Sequence, residues 1–144
     1  MFTHLLPNSN KLFSVVFAEY AKTHYLNKFI KKYKGKQWDY TEMSIKQDIS
    51  RLRMVNNTTQ SSSQIDELKH KDNYWLVKYD FKIAGTKEST KSSGNRCVLF
   101  IDNSIDSIQI LLIYNKNDLP KNKKETQYIF SELEDNYSTI YNLF

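Results

Sequence analysis

Six side chains in the second half of the chain are of types that bind and polarise a phosphodiester: Lys82, Lys87, Lys91, Arg96, Tyr114 and Lys116. A guanidinium grips phosphate oxygens two at a time, and an ammonium and a phenol beside it suit binding and polarising the same group. The hydrophobic pattern supplies a way to bring them together. Trp75, Val77, Tyr79, Phe81 and Ile83 alternate with Lys78, Asp80 and Lys82, which predicts a strand with one packed face and one wet face. Arg96–Asp102 and Ile108–Tyr114 are more continuously apolar, as strands covered on both faces are, and Asp102-Asn103-Ser104 predicts a hairpin turn between them. In an antiparallel hairpin the start of one strand lies beside the end of the next, so Arg96 should neighbour residues 114–116. The polar loop 85–95 leads into the same end of the sheet. Each residue also has a second reading. Arg96 also suits an ion pair with Glu88 or Asp118 that ties the loop down, Tyr114 suits packing as a strand-end residue, and Asp118 suits the geometry of the turn before Pro120.

Other chemistries recede by elimination. The chain has no His-Glu-x-x-His, no cysteine pair for zinc, no phosphate-binding glycine loop and no dinucleotide fingerprint. His4, His24 and His70 show no ligand spacing and read as surface histidines, and no serine is framed by a nucleophile elbow. No cofactor or metal is called for. A formal net charge of +5, from 21 Lys and Arg against 16 Asp and Glu, biases the chain toward polyanions. The single cysteine, Cys97, lies inside an apolar strand, so an internal disulfide is impossible and a reducing cytoplasm is the simpler setting.

At 144 residues and 40% hydrophobic the chain suits one domain with its own core, residues 1–144, with 1–10 an irregular N-terminal extension. The apolar run Leu12–Ala18 is too short to span a membrane, is followed by no signal-peptide cleavage pattern, and reads as a first strand. Leu26, Phe29, Ile30 and Tyr33 form a helical stripe, with Lys28, Lys31, Lys32 and Lys34 mainly on the opposite side, either as a solvated face or as a phosphate-binding one. Gly35 is placed to end that helix. Asp39 is the expected N-cap of a second helix, with Glu42 at its third position, a Trp38–Met43 staple across the cap, and Ile45, Ile49 and Leu52 as its apolar stripe. Residues 56–64, NNTTQSSSQ, read as a polar connector, and Ile65–Leu68 as a short turn before the sheet. A last helix over Glu125–Tyr137 carries Ile129, Phe130 and Leu133 toward the sheet edge. The expected architecture is α+β: an antiparallel sheet with an N-terminal strand, a helical hairpin, three consecutive strands and a C-terminal helix.

That order of elements, together with the arginine of Ser93-Gly94-Asn95-Arg96 opening the second of the three strands, resembles the RelE/ParE superfamily of toxins. The strand tail Ile113-Tyr114-Asn115-Lys116-Asn117-Asp118 resembles its HigB-like members in particular. The resemblance covers residues 12–137 as a pattern. It implies a RelE-like fold and the toxin of a type II toxin-antitoxin pair, acting as a metal-independent endoribonuclease (mRNA interferase) on messenger RNA, typically on the ribosome, and held inactive by a cognate antitoxin protein. The ribose 2′-hydroxyl would attack the adjacent phosphate, leaving a 2′,3′-cyclic phosphate and a free 5′-hydroxyl. Arg96 would hold the scissile phosphate, Lys116 would be a second cation, Tyr114 would stack on a base, Asp118 would be a candidate base, and Lys82, Lys87 and Lys91 would bind the RNA backbone. Asn117 stands where many relatives carry a second basic residue, and the C-terminal catalytic tyrosine of some has no clear counterpart. The superfamily also includes gyrase inhibitors without nuclease activity, so a non-catalytic ParE-like protein and an RNA-binding module without cleavage are the alternatives.

Overall fold

A computed structural model describes residues 12–52 and 64–144. The N-terminal extension 1–10 and all but the last residue of the connector 56–64 lie outside them. In chain order the elements are β1 (Ser14–Phe17), α1 (an α-helical start at Glu19–Ala21, a π-helical turn Lys22–Leu26 and an α-helical run Asn27–Lys32) and α2 (Lys36–Ile49). There follow β2 (Ile65–Lys71), β3 (Tyr74–Phe81), β4 (Asn95–Asp102), β5 (Ser107–Asn115), α3 (Glu125–Asn136) and α4 (Ser138–Tyr141). The five strands form one sheet in the order β1-β5-β4-β3-β2. The α+β class is as expected, but the sheet is mixed: β1 runs parallel to β5, Ser14 opposite Ser107 and Phe17 opposite Ile110. The long crossover through two helices and three further strands makes a parallel pairing possible where a tight turn could not.

Helices cover both faces. On one, α1 and α2 bury Ala21, Leu26, Phe29, Trp38, Ile45 and Ile49 against Val77, Tyr79, Phe81, Cys97, Leu99, Ile110 and Ile113. On the other, α3 buries Ile129 and Leu133 against Leu76, Val98, Phe100, Leu111 and Leu112. The C-terminal helix therefore lies on the sheet face rather than at its edge. The side of β3 expected to stay wet is covered by it, and Asp80 is only 4% exposed. Continuous apolar runs in β4 and β5 follow from this double coverage.

Local signals failed where tertiary contacts offered a better arrangement. Gly35, at φ +68° and ψ −137°, is the residue from which α2 starts, so the helix begins at Lys36 and Asp39 lies in its first turn, where a carboxylate suits the helix dipole. Trp38 and Met43 make no staple: Trp38 is buried against Phe29, ring centroids 5.3 Å apart, while Met43 is half exposed. The Trp38 indole donates to Glu42 Oε1 at 3.1 Å, which occupies the carboxylate expected at the cap. Ile30, expected in the apolar stripe, is 42% exposed. Residues expected to form a short turn at 65–68 belong to the edge strand β2, which pairs antiparallel with β3. An edge strand rich in Lys, Asp and Glu carries little hydrophobic signal, because half its hydrogen bonds and much of its surface face solvent.

A bulge interrupts the β4–β5 pairing. Val98 faces Leu112 and Leu99 faces Ile110, so Leu111 has no opposite number and joins Leu112 on the α3 face. The Leu111 carbonyl accepts from the Tyr137 hydroxyl at 2.7 Å, just beyond the end of α3. Tyr137→Phe removes this donor from a buried carbonyl and is expected to cost about 1–3 kcal/mol of stability, measured as a shift of the urea midpoint at unchanged m-value.

Candidate functional site

Sheet register brings Asp80, Arg96 and Tyr114 into one row across β3, β4 and β5, each directly opposite the next. The hairpin thus makes Arg96 and Tyr114 neighbours, as chain geometry required. Glu125, the first residue of α3, descends onto this row. Tyr114 donates to Glu125 Oε2 at 2.7 Å, and Arg96 Nε lies 3.7 Å from the same oxygen. Arg96 Nε also lies 3.1 Å from Asp80 Oδ1, a contact of charges without the alignment of a hydrogen bond. The other guanidinium nitrogens donate to backbone: Nη1 to the Asn95 carbonyl at 3.1 Å and Nη2 to the Lys91 carbonyl at 3.2 Å. Lys78 completes the set, its Nζ 3.6 Å from both Glu125 Oε1 and Asp66 Oδ2.

Arg96 is 4% exposed. Its acids are Asp80 and Glu125, not Glu88 or Asp118, and its grip on the Lys91 carbonyl ties the end of the loop to the sheet. Burial raises the Asp80 carboxyl above the usual carboxylate range, with Arg96 pulling in the opposite sense. Burial, followed by the hydrogen bond to Glu125, pushes the Tyr114 phenol far above its ordinary value, so it stays a neutral donor.

Beside this row a cleft of about 80 Å³ opens between α1 and the strand ends. Tyr25, Lys28, Phe29, Lys32 and Tyr33 of α1 and its C-terminal residue form one wall. Asn95, Ile113, Tyr114 and Asn115 form the floor, and Asp118, Leu119 and Tyr128 close the far side. The floor is rigid for a local reason. Asn115 Nδ2 donates to the Ser93 carbonyl at 3.1 Å and to Asn95 Oδ1 at 2.8 Å, while Asn115 Oδ1 accepts from the Asn117 backbone at 2.9 Å. Gly94, at φ +79°, fits beneath it; a Cβ there would stand 3.1 Å from Asn115 Oδ1.

Lys28 and Lys32 lie one helical turn apart and are exposed, which gives the cleft two cations on one rim. Lys32 Nζ is 5.4 Å from the Tyr33 ring centroid, so charge and an aromatic face occur together. Tyr25 and Tyr128 touch through their hydroxyls at 2.6 Å, and Tyr25 donates to Glu132 Oε1, which also accepts from Tyr20 at 3.0 Å. An arrangement of ammonium groups, amides and phenols around a small open cleft suits a phosphate with an attached ring.

The remaining sequence-predicted residues are at the same end of the sheet but outside the row. Lys82, Lys87 and Lys91 are exposed along the exit of β3 and its loop, and Lys116 is exposed in a 3₁₀ turn whose backbone N–H bonds the Gly94 carbonyl at 2.8 Å. Asp118 is exposed on the cleft wall. Lys28 and Lys32 were legible only as a basic helix face and Tyr33 only as part of an apolar stripe, while Tyr25 and Tyr128 carried no signal, since nothing in one sequence says which helix faces meet across a sheet end. Comparison with protein-family models, with curated proteins and with solved structures finds no match to the chain. The site is therefore read from its own chemistry.

Removing the buried guanidinium leaves the Asp80 carboxylate buried without its cation and takes one of the two cations from Glu125. Arg96→Ala is expected to destabilise the protein by about 3–5 kcal/mol, whereas Lys116→Ala at the exposed turn should change stability by no more than about 0.5 kcal/mol. Chemical denaturation of the two variants side by side measures the difference.

Proposed function

We propose that the protein binds single-stranded RNA in the cleft between α1 and the strand ends, and cuts it as a toxin-type endoribonuclease of the RelE kind. The observation that carries the reading is the pairing of Lys28 and Lys32 with Tyr33, Tyr128 and a rigid amide floor at the sheet end where Lys82, Lys87, Lys91 and Lys116 are also exposed. Lysines that track a backbone and aromatic rings that stack on bases are the two ingredients of single-strand recognition. The N-terminal strand, helical hairpin and C-terminal helix, with Arg96 near the start of β4, support the RelE-like assignment, although four consecutive strands stand where that pattern expects three. In this reading the attacking group is the ribose 2′-hydroxyl, the products are a 2′,3′-cyclic phosphate and a 5′-hydroxyl, and the chemistry needs no metal. A cognate antitoxin protein and ribosome-borne messenger RNA are the corresponding partners, with the cytoplasm as the corresponding setting.

The roles within the site differ from those of a free-standing arginine clamp. Arg96, enclosed by Asp80 and Glu125, organises the loop and the start of α3, and Tyr114 is held by Glu125. Charge on the phosphate is met by Lys28, Lys32 and Lys116. The burial of Arg96 also favours a second reading, RNA binding without scission, because its guanidinium is taken up by Asp80, Glu125 and two backbone carbonyls and is not free to stabilise a developing phosphorane.

Fluorescence anisotropy with a labelled single-stranded RNA tests the binding. Lys28→Glu with Lys32→Glu should weaken affinity at least tenfold and flatten the log–log salt dependence by about 1.4, two contacts at ~0.7 each. Unchanged affinity and slope would remove the cleft from consideration. Mapping of transcript ends after expression in bacteria tests the cleavage: discrete cuts with cyclic phosphate ends are expected, and intact RNA with inhibited DNA gyrase would point instead to the ParE-like alternative.

A further inference from the structure

The general base for that reaction is supplied by none of the residues in the charged row: Arg96 and Lys78 are cations, Tyr114 is held as a donor, and Asp80 and Glu125 are engaged by Arg96. A different carboxylate has a route to the cleft. Glu132, two turns along α3 from Glu125, accepts from both Tyr20 and Tyr25 through Oε1. The wider turn of the π-helical segment places these two phenols, five residues apart, over the same carboxylate. An ionised carboxylate has no proton to give, so Tyr20 and Tyr25 must both donate. The Tyr25 proton is thereby committed, and the 2.6 Å contact between Tyr25 and Tyr128 must use the proton of Tyr128. The donors are ordered: Tyr128 to Tyr25 to Glu132. Tyr128 lines the cleft, and its oxygen is left with acceptor capacity for a hydroxyl bound there.

We propose that Glu132 is the terminal proton acceptor of the cleft, reached through Tyr25 and Tyr128. The proposal rests on the RNA-cleavage reading. As the 2′-oxygen attacks phosphorus, its proton passes to Tyr128, the Tyr128 proton to Tyr25, and the Tyr25 proton to the Glu132 carboxylate, so both phenols end neutral and Glu132 ends protonated. The new O2′–P bond forms as the P–O5′ bond breaks with its electron pair on the 5′-oxygen, which takes a proton from water. Glu132 then returns its proton to the hydroxide so formed. Of the three relay groups Tyr128 takes the substrate proton; Tyr25 and Glu132 act through it. Burial pushes Tyr25 far above the phenol range and raises Tyr128 as well, so neither phenol holds the charge and the carboxylate must. The groups facing Glu132 are Tyr20 and Tyr25 from α1, Tyr128 on its own helix and Tyr137 beyond its end; the His24 ring stacks on Tyr20 at 4.1 Å, and Lys28, Lys32 and the exposed carboxylate Asp118 line the same cleft.

The test is single-turnover cleavage of a single-stranded RNA by the full chain from pH 4 to 9, with RNA affinity and thermal melting measured alongside. Glu132→Gln keeps an oxygen that accepts from both phenols but removes the base. It should bind RNA within twofold of the wild type, cleave about a hundredfold more slowly or worse, and lose the acidic limb of the pH–rate profile. Tyr128→Phe, which breaks the first link, should lose rate with the same retained affinity. Cleavage by folded Glu132→Gln at the wild-type rate and with the wild-type profile overturns the relay alone. A wild-type chain that binds RNA and never cuts it overturns the cleavage reading and the relay together.

Discussion

A guanidinium taken out of water has to be answered by charge, and the answer given to Arg96 determines how this end of the molecule is built. Asp80 and Glu125 sit within 3.1 and 3.7 Å of its Nε, and two backbone carbonyls take its remaining nitrogens. Such a set contributes less to stability than apolar side chains of equal volume would, because desolvation offsets much of the attraction. What it does impose is position. A one-residue slip of β4 would turn Arg96 toward the face that holds Cys97 and Leu99, away from Asp80 and Glu125. The same contacts fix the loop at Lys91 and the first turn of α3 over the strand ends.

From that anchored first turn, α3 presents Glu125, Tyr128, Ile129, Glu132 and Leu133 on one face, at helical spacings of three and four. Ile129 and Leu133 enter the core. Glu125 meets the charged row, and Glu132 meets the phenols of α1. The cleft lies where α1 and α3 approach over the ends of β4 and β5, so its shape depends on two carboxylates of one helix, each engaged with a different neighbour. The π turn in α1 belongs to the same arrangement, since it brings Tyr20 and Tyr25 to one oxygen of Glu132.

The legible part of the fold was the part with strong periodicity. Alternation over Trp75–Ile83, the apolar runs of β4 and β5 and the turn at Asp102–Ser104 were read from side-chain polarity, because burial on one or two faces leaves a direct mark on composition. The edge strand β2 left no such mark. Asp39 looked like an N-cap by residue type, yet the cap is Gly35, where a backbone angle open to glycine let the chain turn tightly between α1 and α2. Side-chain identity proposes a cap; the path of the chain into the helix decides it.

At the site, sequence alone determined that Arg96 and Tyr114 would be neighbours, since strand pairing through a short hairpin leaves little freedom in register. It also determined a surplus of cations near that end. Only the tertiary structure decided that Arg96 faces inward to Asp80 and Glu125, that Lys28 and Lys32 line the open cleft, and that Tyr25, Tyr128 and Glu132 meet. Register is a property of adjacent segments, set by local geometry. Which helix covers which face of a sheet is settled by burial summed over the whole chain, and no window of residues contains that sum.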